Sequence, residues 1–94
     1  MALQFTWDEV KALANVRKHG VDFDEAMTVF SDPNSLTLLD ERHSQDEDRF
    51  VDLGLSERGR LLIVIYTERK AAIRIISCRE ATPGERRQYE QRTI

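Results

Sequence analysis

Ile73-Arg74-Ile75-Ile76-Ser77-Cys78-Arg79-Glu80-Ala81-Thr82-Pro83-Gly84-Glu85-Arg86-Arg87-Gln88-Tyr89-Glu90 reads as a β-strand that carries arginines and runs straight into a helix start. Thr82 is a favourable N-cap, Pro83 fits the first helical position, and Glu85 completes a capping box. The strand therefore ends near Arg79, which presents its guanidinium from a fixed strand end rather than from a loop. Strict alternation puts Arg74 with Ile76 and Cys78 on one face, and Arg79 with Ile75 and Ser77 on the other. An arginine inside an apolar strand is costly unless it meets a carboxylate or faces an open cleft. Structural pairing and phosphate binding both satisfy that condition. Cys78, in apolar company, reads as a small core residue.

Upstream of this strand the chain reads as further strands joined by hairpins. Residues 60–67 are apolar on both faces, which predicts a central strand, and Glu68-Arg69-Lys70 predicts a tight turn after it. Residues 49–55 form another strand, closed by a turn at Glu57-Arg58-Gly59, and residues 36–40 another, with a charged loop over 40–48 between them. Two helices precede these. Residues 3–7 alternate as a short strand, and Thr6-x-x-Glu9 then predicts a capping box for a first helix ending at Gly20. Val10, Leu13 and Ala14, continued by Arg17, form its expected buried stripe. Asp22 and Glu25 open a second helix, with Phe23, Ala26, Met27 and Phe30 as its buried face and Asp32-Pro33-Asn34 as its stop. The order βααββββα predicts an α+β fold with helices packed on one face of an antiparallel sheet. The last helix has Tyr89 as its only large apolar residue, so it is either loosely held or ordered by a partner.

Ninety-four residues make one domain, spanning 1–94, with 40% apolar and 33% charged residues. The longest apolar run, Leu61 to Tyr66, is far short of a membrane span, and the N-terminus does not read as a signal peptide. A single cysteine excludes an internal disulfide, and the expectation is a cytoplasmic protein. The net charge is −3, but it is unevenly spread. Residues 1–57 carry 5 Lys+Arg against 13 Asp+Glu, whereas residues 58–94 carry 9 against 4. Such asymmetry permits a local basic face, or two halves that neutralise each other in the fold.

Several side-chain sets suit chemistry on a phosphate. Lys11, Asn15 and Lys18 share one helix face, as a cationic stripe following a phosphate backbone would, or as a solvated surface. His19, at a helix end, either shuttles a proton or answers the free carbonyls. His43, Glu47 and Arg49 offer acid, base and electrostatic clamp, or a solvated loop, and no HxH or HExxH spacing supports a metal. Trp7 is either a base-stacking platform or a core aromatic.

Three blocks of these residues resemble the BrnT toxins of bacterial type II toxin–antitoxin systems. They are Trp7-Asp8-x-x-Lys11-x-x-x-Asn15-x-x-Lys18-His19-Gly20-Val21-x-Phe23, His43-Ser44-x-x-Glu47-x-Arg49-Phe50 followed by Leu53-Gly54, and the Arg74 to Glu90 stretch. They run in order and cover almost the whole chain. The resemblance implies a fold similar to the RelE ribonuclease toxins, with helices on a twisted antiparallel sheet. It implies RNA cleavage that arrests growth, and a BrnA-like ribbon-helix-helix antitoxin through which alone the toxin would reach DNA.

No cofactor is expected. A metal-free ribonuclease uses the RNA 2′-OH as nucleophile and needs a base, an acid and cations around the phosphate. On this reading Arg49, Arg74 and Arg79 form the clamp, proton transfer falls to His43, Glu47 or His19, and Lys11, Asn15 and Lys18 hold flanking RNA. A different class of function also fits the sequence: a catalytically inactive partner acting with its antitoxin as co-repressor.

Overall fold

The computed structural model describes residues 3–43 and 47–92. The chain forms β1 (Gln4–Thr6), α1 (Glu9–His19), α2 (Phe23–Thr28), β2 (Leu36–Leu39), β3 (Arg49–Leu55), β4 (Leu61–Arg69), β5 (Ala72–Glu80) and α3 (Pro83–Arg92). Short 3-10 turns at Val29–Ser31 and Glu41–His43 follow α2 and β2. The five strands make one sheet in the order β1-β5-β4-β3-β2, so the doubly apolar β4 is indeed central. The sheet is mixed rather than wholly antiparallel, because β1 pairs in parallel with β5 while every other pair is antiparallel.

The cores on the two faces follow the alternation of β4. Leu62, Val64 and Tyr66 point to the face where Val21, Phe23, Ala26 and Val29 arrive from the α1–α2 region. Phe5, Phe30, Tyr66 and Phe50 extend this core as a chain of ring contacts with centroids 4.9 to 5.6 Å apart. Leu61 and Ile63 point to the opposite face with Leu53, where Tyr89 of α3 packs against them. Helices therefore cover both faces, not one. α3 has the expected reciprocal capping box: Thr82 N–H donates to Glu85 Oε1 (2.8 Å) and Glu85 N–H to Thr82 Oγ1 (3.2 Å).

α1 departs from the amphipathic reading. Its N-cap is Asp8, whose Oδ1 accepts from the N–H groups of Val10 (2.8 Å) and Lys11 (3.2 Å). Thr6, the expected cap, instead ends β1 opposite Arg74, two residues ahead of the actual cap. The expected buried stripe faces outward: Val10 is 75% exposed and Leu13 61%. The inward side instead carries Ala12 and a buried Asn15. The reason is the edge of β5. β1 pairs only as far as Arg74, so beyond it the backbone of Cys78, paired with Val64 of β4 on one side, has no strand neighbour on the other. The Asn15 carboxamide takes that neighbour's place: its Nδ2 donates to Cys78 O (2.9 Å) and to Val21 O (2.8 Å), and its Oδ1 accepts from Cys78 N–H (3.1 Å). Asn15 closes the sheet edge and ties α1 to it.

The acidic and basic halves partly neutralise each other. Glu25, whose side chain is fully buried, binds Arg60 through Nε (3.0 Å) and a close Nη2 contact, and accepts from Ser56 Oγ (2.7 Å). The Arg60 hydrogen bonds hold this carboxyl below the usual carboxylate range. The cluster joins α2 to the β3–β4 turn.

Candidate functional site

The site is set by strand register on the face opposite α1. Arg49 of β3 pairs with Thr67 of β4, Thr67 pairs with Arg74 of β5, and Arg74 pairs with Thr6 of β1. Directly opposed residues share a face, so these four side chains form one row across the sheet. Adjacent strands lie ~4.8 Å apart, which places Arg49 and Arg74 about 10 Å apart at Cα, flanking Thr67. Arg69 stands one pleat further along β4 on the same face. Its Nη2 and Nε donate to Glu47 at 2.7 and 3.1 Å, from just before β3. Three guanidiniums thus surround one carboxylate. The Arg69 hydrogen bonds, supplemented by the fields of Arg49 and Arg74, hold Glu47 below the usual carboxylate range. Its charge stays negative at neutral pH, and the cluster keeps an excess of positive charge. Thr67 in the middle is buried, and its Oγ1 has no hydrogen-bond partner among the described residues.

Arg79 shares this face, contrary to strict alternation. Between Ile65↔Ser77 and Tyr66↔Ile75 the β5 register advances by two residues against one in β4, so Ile76 is a bulge. The extra residue reverses the expected parity and turns Arg74 and Arg79 to the same side. They do not converge, however. Arg79 pairs opposite Ile63, two pleats from Thr67, which is roughly 13 Å along the strand. Its guanidinium is held by Glu85 in a two-point ion pair of 2.8 and 2.9 Å, which lowers Glu85 to about 2. The carboxylate partner comes from α3.

Lys11, Lys18 and His19 lie elsewhere, around a shallow depression of about 260 Å³ beside the bulge at Ile76. Asn15 lies at its base, with its amide and oxygen committed to backbone groups. It is therefore a buried, fold-holding residue whose carboxamide is already engaged by backbone groups. His43 ends the 3-10 turn before β3, and its side chain lies outside the described part of the structure. Trp7 packs edge-on to Phe23 at 5.8 Å and belongs to the core periphery. Burial pushes the Cys78 thiol up to about 12, so it is neither nucleophile nor ligand at neutral pH. Among the described residues no three His, Cys, Asp or Glu side chains gather as a metal site requires.

Glu47, Arg49 and Arg74 are thus the expected residues that the fold brings together. Arg69 is the member that sequence reasoning missed, because β4 continues through Arg69 where a turn was expected. Its signal lies in parity: Thr67 and Arg69 are two apart, so a strand extended by one pleat puts Arg69 beside Arg49 and Arg74.

Residues 7–85 match the family described as "Ribonuclease toxin, BrnT, of type II toxin-antitoxin system". Among solved structures, the chain is similar to the Brucella abortus ribonuclease toxin BrnT, with a TM-score of 0.66 and 24% identity. That match covers 86% of this chain and 99% of the Brucella chain. No curated protein matches the sequence.

Proposed function

This chain belongs to the BrnT family of ribonuclease toxins of type II toxin–antitoxin systems, and on that premise we propose that the sheet face opposite α1 cleaves RNA around the row Arg49–Thr67–Arg74. The observation that carries the proposal is this row, with Arg69 and Glu47 beside it. Arg49 and Arg74 hold the scissile phosphate and stabilise the charge that gathers on it. The nucleophile is the substrate's own 2′-OH, and on this reading side chains rather than a metal supply the base, the acid and the positive charge. A base removes the 2′ proton, the new O–P bond forms, and an acid protonates the departing 5′ oxygen. Glu47 and His43, from the segment leading into β3, are assigned these transfers. Glu47 is ionised and can accept, and a protonated imidazole can donate. Arg79 braces the strand end through Glu85 rather than joining the clamp. Lys11, Lys18 and His19 follow RNA that leaves the site past the β5 edge.

The partner on this reading is a BrnA-like ribbon-helix-helix antitoxin, which supplies all contact with DNA, and the pair acts in the cytoplasm. The fold is taken as a RelE-like variant. Induced expression of the chain alone in a bacterial host, with RNA integrity followed over time, tests the proposal. Growth arrest with RNA fragments, relieved at least about tenfold by Arg74→Ala in soluble protein, is expected. Normal growth with intact RNA from folded wild-type protein would instead mark a non-catalytic partner and co-repressor.

A further inference from the structure

The outward face of α1 carries no structural duty, yet it is apolar. Val10, Leu13 and Val16 are 75%, 61% and 44% exposed, spaced at i, i+3 and i+6 along one side of the helix. Leu13 and Val16 form one wall of a cleft of about 390 Å³, which Phe23 at the start of α2 and Trp7 just ahead of α1 also line. Contiguous exposed apolar surface of this kind marks an interaction site. The charge around the cleft selects the occupant. Glu9, Asp22 and Asp24 also line it, and no Lys or Arg does. Glu9 and Asp24 have no cationic partner among the described residues, whereas Asp22 has Arg58 at 3.7 Å. A second copy of this chain docked by the same face would bring two such acidic rims together, which disfavours self-association. RNA is disfavoured by the same charges.

We infer that this acid-rimmed cleft between α1 and α2 receives an amphipathic segment of the cognate antitoxin, one that presents apolar side chains flanked by Lys or Arg. The inference rests on the family reading that such an antitoxin exists. It gives α1 two separate duties, with Asn15 holding the sheet edge on one side and Leu13 with Val16 holding the partner on the other. The arginine row lies on the opposite face of the sheet. The antitoxin therefore anchors away from the reacting groups.

The test uses the full chain and the small protein encoded beside its gene as probe. Affinity is measured with purified components, and neutralisation by co-expression. Leu13→Lys with Val16→Lys should weaken binding about a hundredfold and abolish neutralisation. Ribonuclease activity and the circular dichroism spectrum should be unchanged. Glu9→Lys with Asp24→Lys leaves the apolar wall intact and should weaken binding about tenfold, with a reduced salt dependence. Wild-type binding by both folded double variants would overturn the cleft while leaving the antitoxin in place. Absence of binding by the wild-type chain would overturn the occupant together with the family reading. A dimer of the chain alone that Leu13→Lys with Val16→Lys dissolves, with antitoxin binding intact, would assign the cleft to self-association and also overturn the inference.

Discussion

At the scale of single residues, two buried polar groups show where the fold spends stability. Thr67 places a hydroxyl without a partner beneath the arginine row. A buried unmet hydroxyl costs about 1–3 kcal/mol. Asp52 is buried on the other face, and its Oδ1 accepts from Tyr66 Oη at 3.0 Å. Desolvation dominates there and raises its carboxyl above the ordinary value of 3.8, against the opposing hydrogen bonds from Thr37 and Tyr66. The sign follows directly. A carboxyl that is harder to ionise in the fold than in the unfolded chain contributes most below 3.8, and that contribution is lost as the pH rises through the folded value. Asp52→Asn removes the penalty, and its amide can still meet Tyr66 and Thr37. Thermal unfolding across pH 3–7 should therefore show the variant gaining on the wild type as pH rises. A gap that is flat, or that widens in favour of the wild type, would mean that the ionised carboxylate is stabilised in place.

At the scale of elements, the strands were legible and the packing of the helices was not. β3 appears with the expected bounds and β4 is central, because alternation and doubly apolar runs follow from the strand period itself. α3 was readable from Thr82, Pro83 and Glu85, since a capping box is a local device. The orientation of α1 was not, because its inward residue is chosen by the open edge of β5, 63 positions away at Cys78. Hydrophobic periodicity holds no information about that edge. The bulge at Ile76 was hidden for a similar reason: one extra residue in an all-apolar run changes no pattern but reverses the parity of Arg79 relative to Arg74. Gly54 is another close approach of this non-local kind. A Cβ there would lie 2.8 Å from Val29 Cγ1 and 3.0 Å from Ser35 Cβ, so β3 has no room for a side chain under the turn that follows α2. Gly54→Ala should destabilise the fold by about 1–3 kcal/mol in urea unfolding. A loss below about 0.5 kcal/mol would mean that the turn gives way freely.

At the scale of the whole molecule, charge asymmetry had two readings, and the structure uses both. Glu25 with Arg60 and Glu47 with Arg69 pair the acidic half with the basic half across long sequence separations. Part of the remaining charge is grouped by place: guanidiniums in one row across the sheet, carboxylates around the α1–α2 cleft, with Lys11 and Lys18 elsewhere on α1. An acidic protein can thus offer RNA a basic surface while keeping an acidic one for a basic partner. The candidate site was partly legible for the same reason. Glu47, Arg49 and Arg74 could be chosen by chemistry, but their convergence depends on register, which also recruits Arg69 and leaves Arg79 to Glu85. The central claim is that Arg49 and Arg74 act together on one phosphate. It is tested most directly by the rate of RNA cleavage by purified chain in the presence of EDTA, for the wild type, Arg49→Ala, Arg74→Ala and the double variant. Cleavage by the wild type, with each single variant down about a hundredfold and the double variant little worse than either, is the predicted result. Folded single variants that cleave at the wild-type rate, or a wild type that cleaves only when a divalent metal is restored, would contradict it.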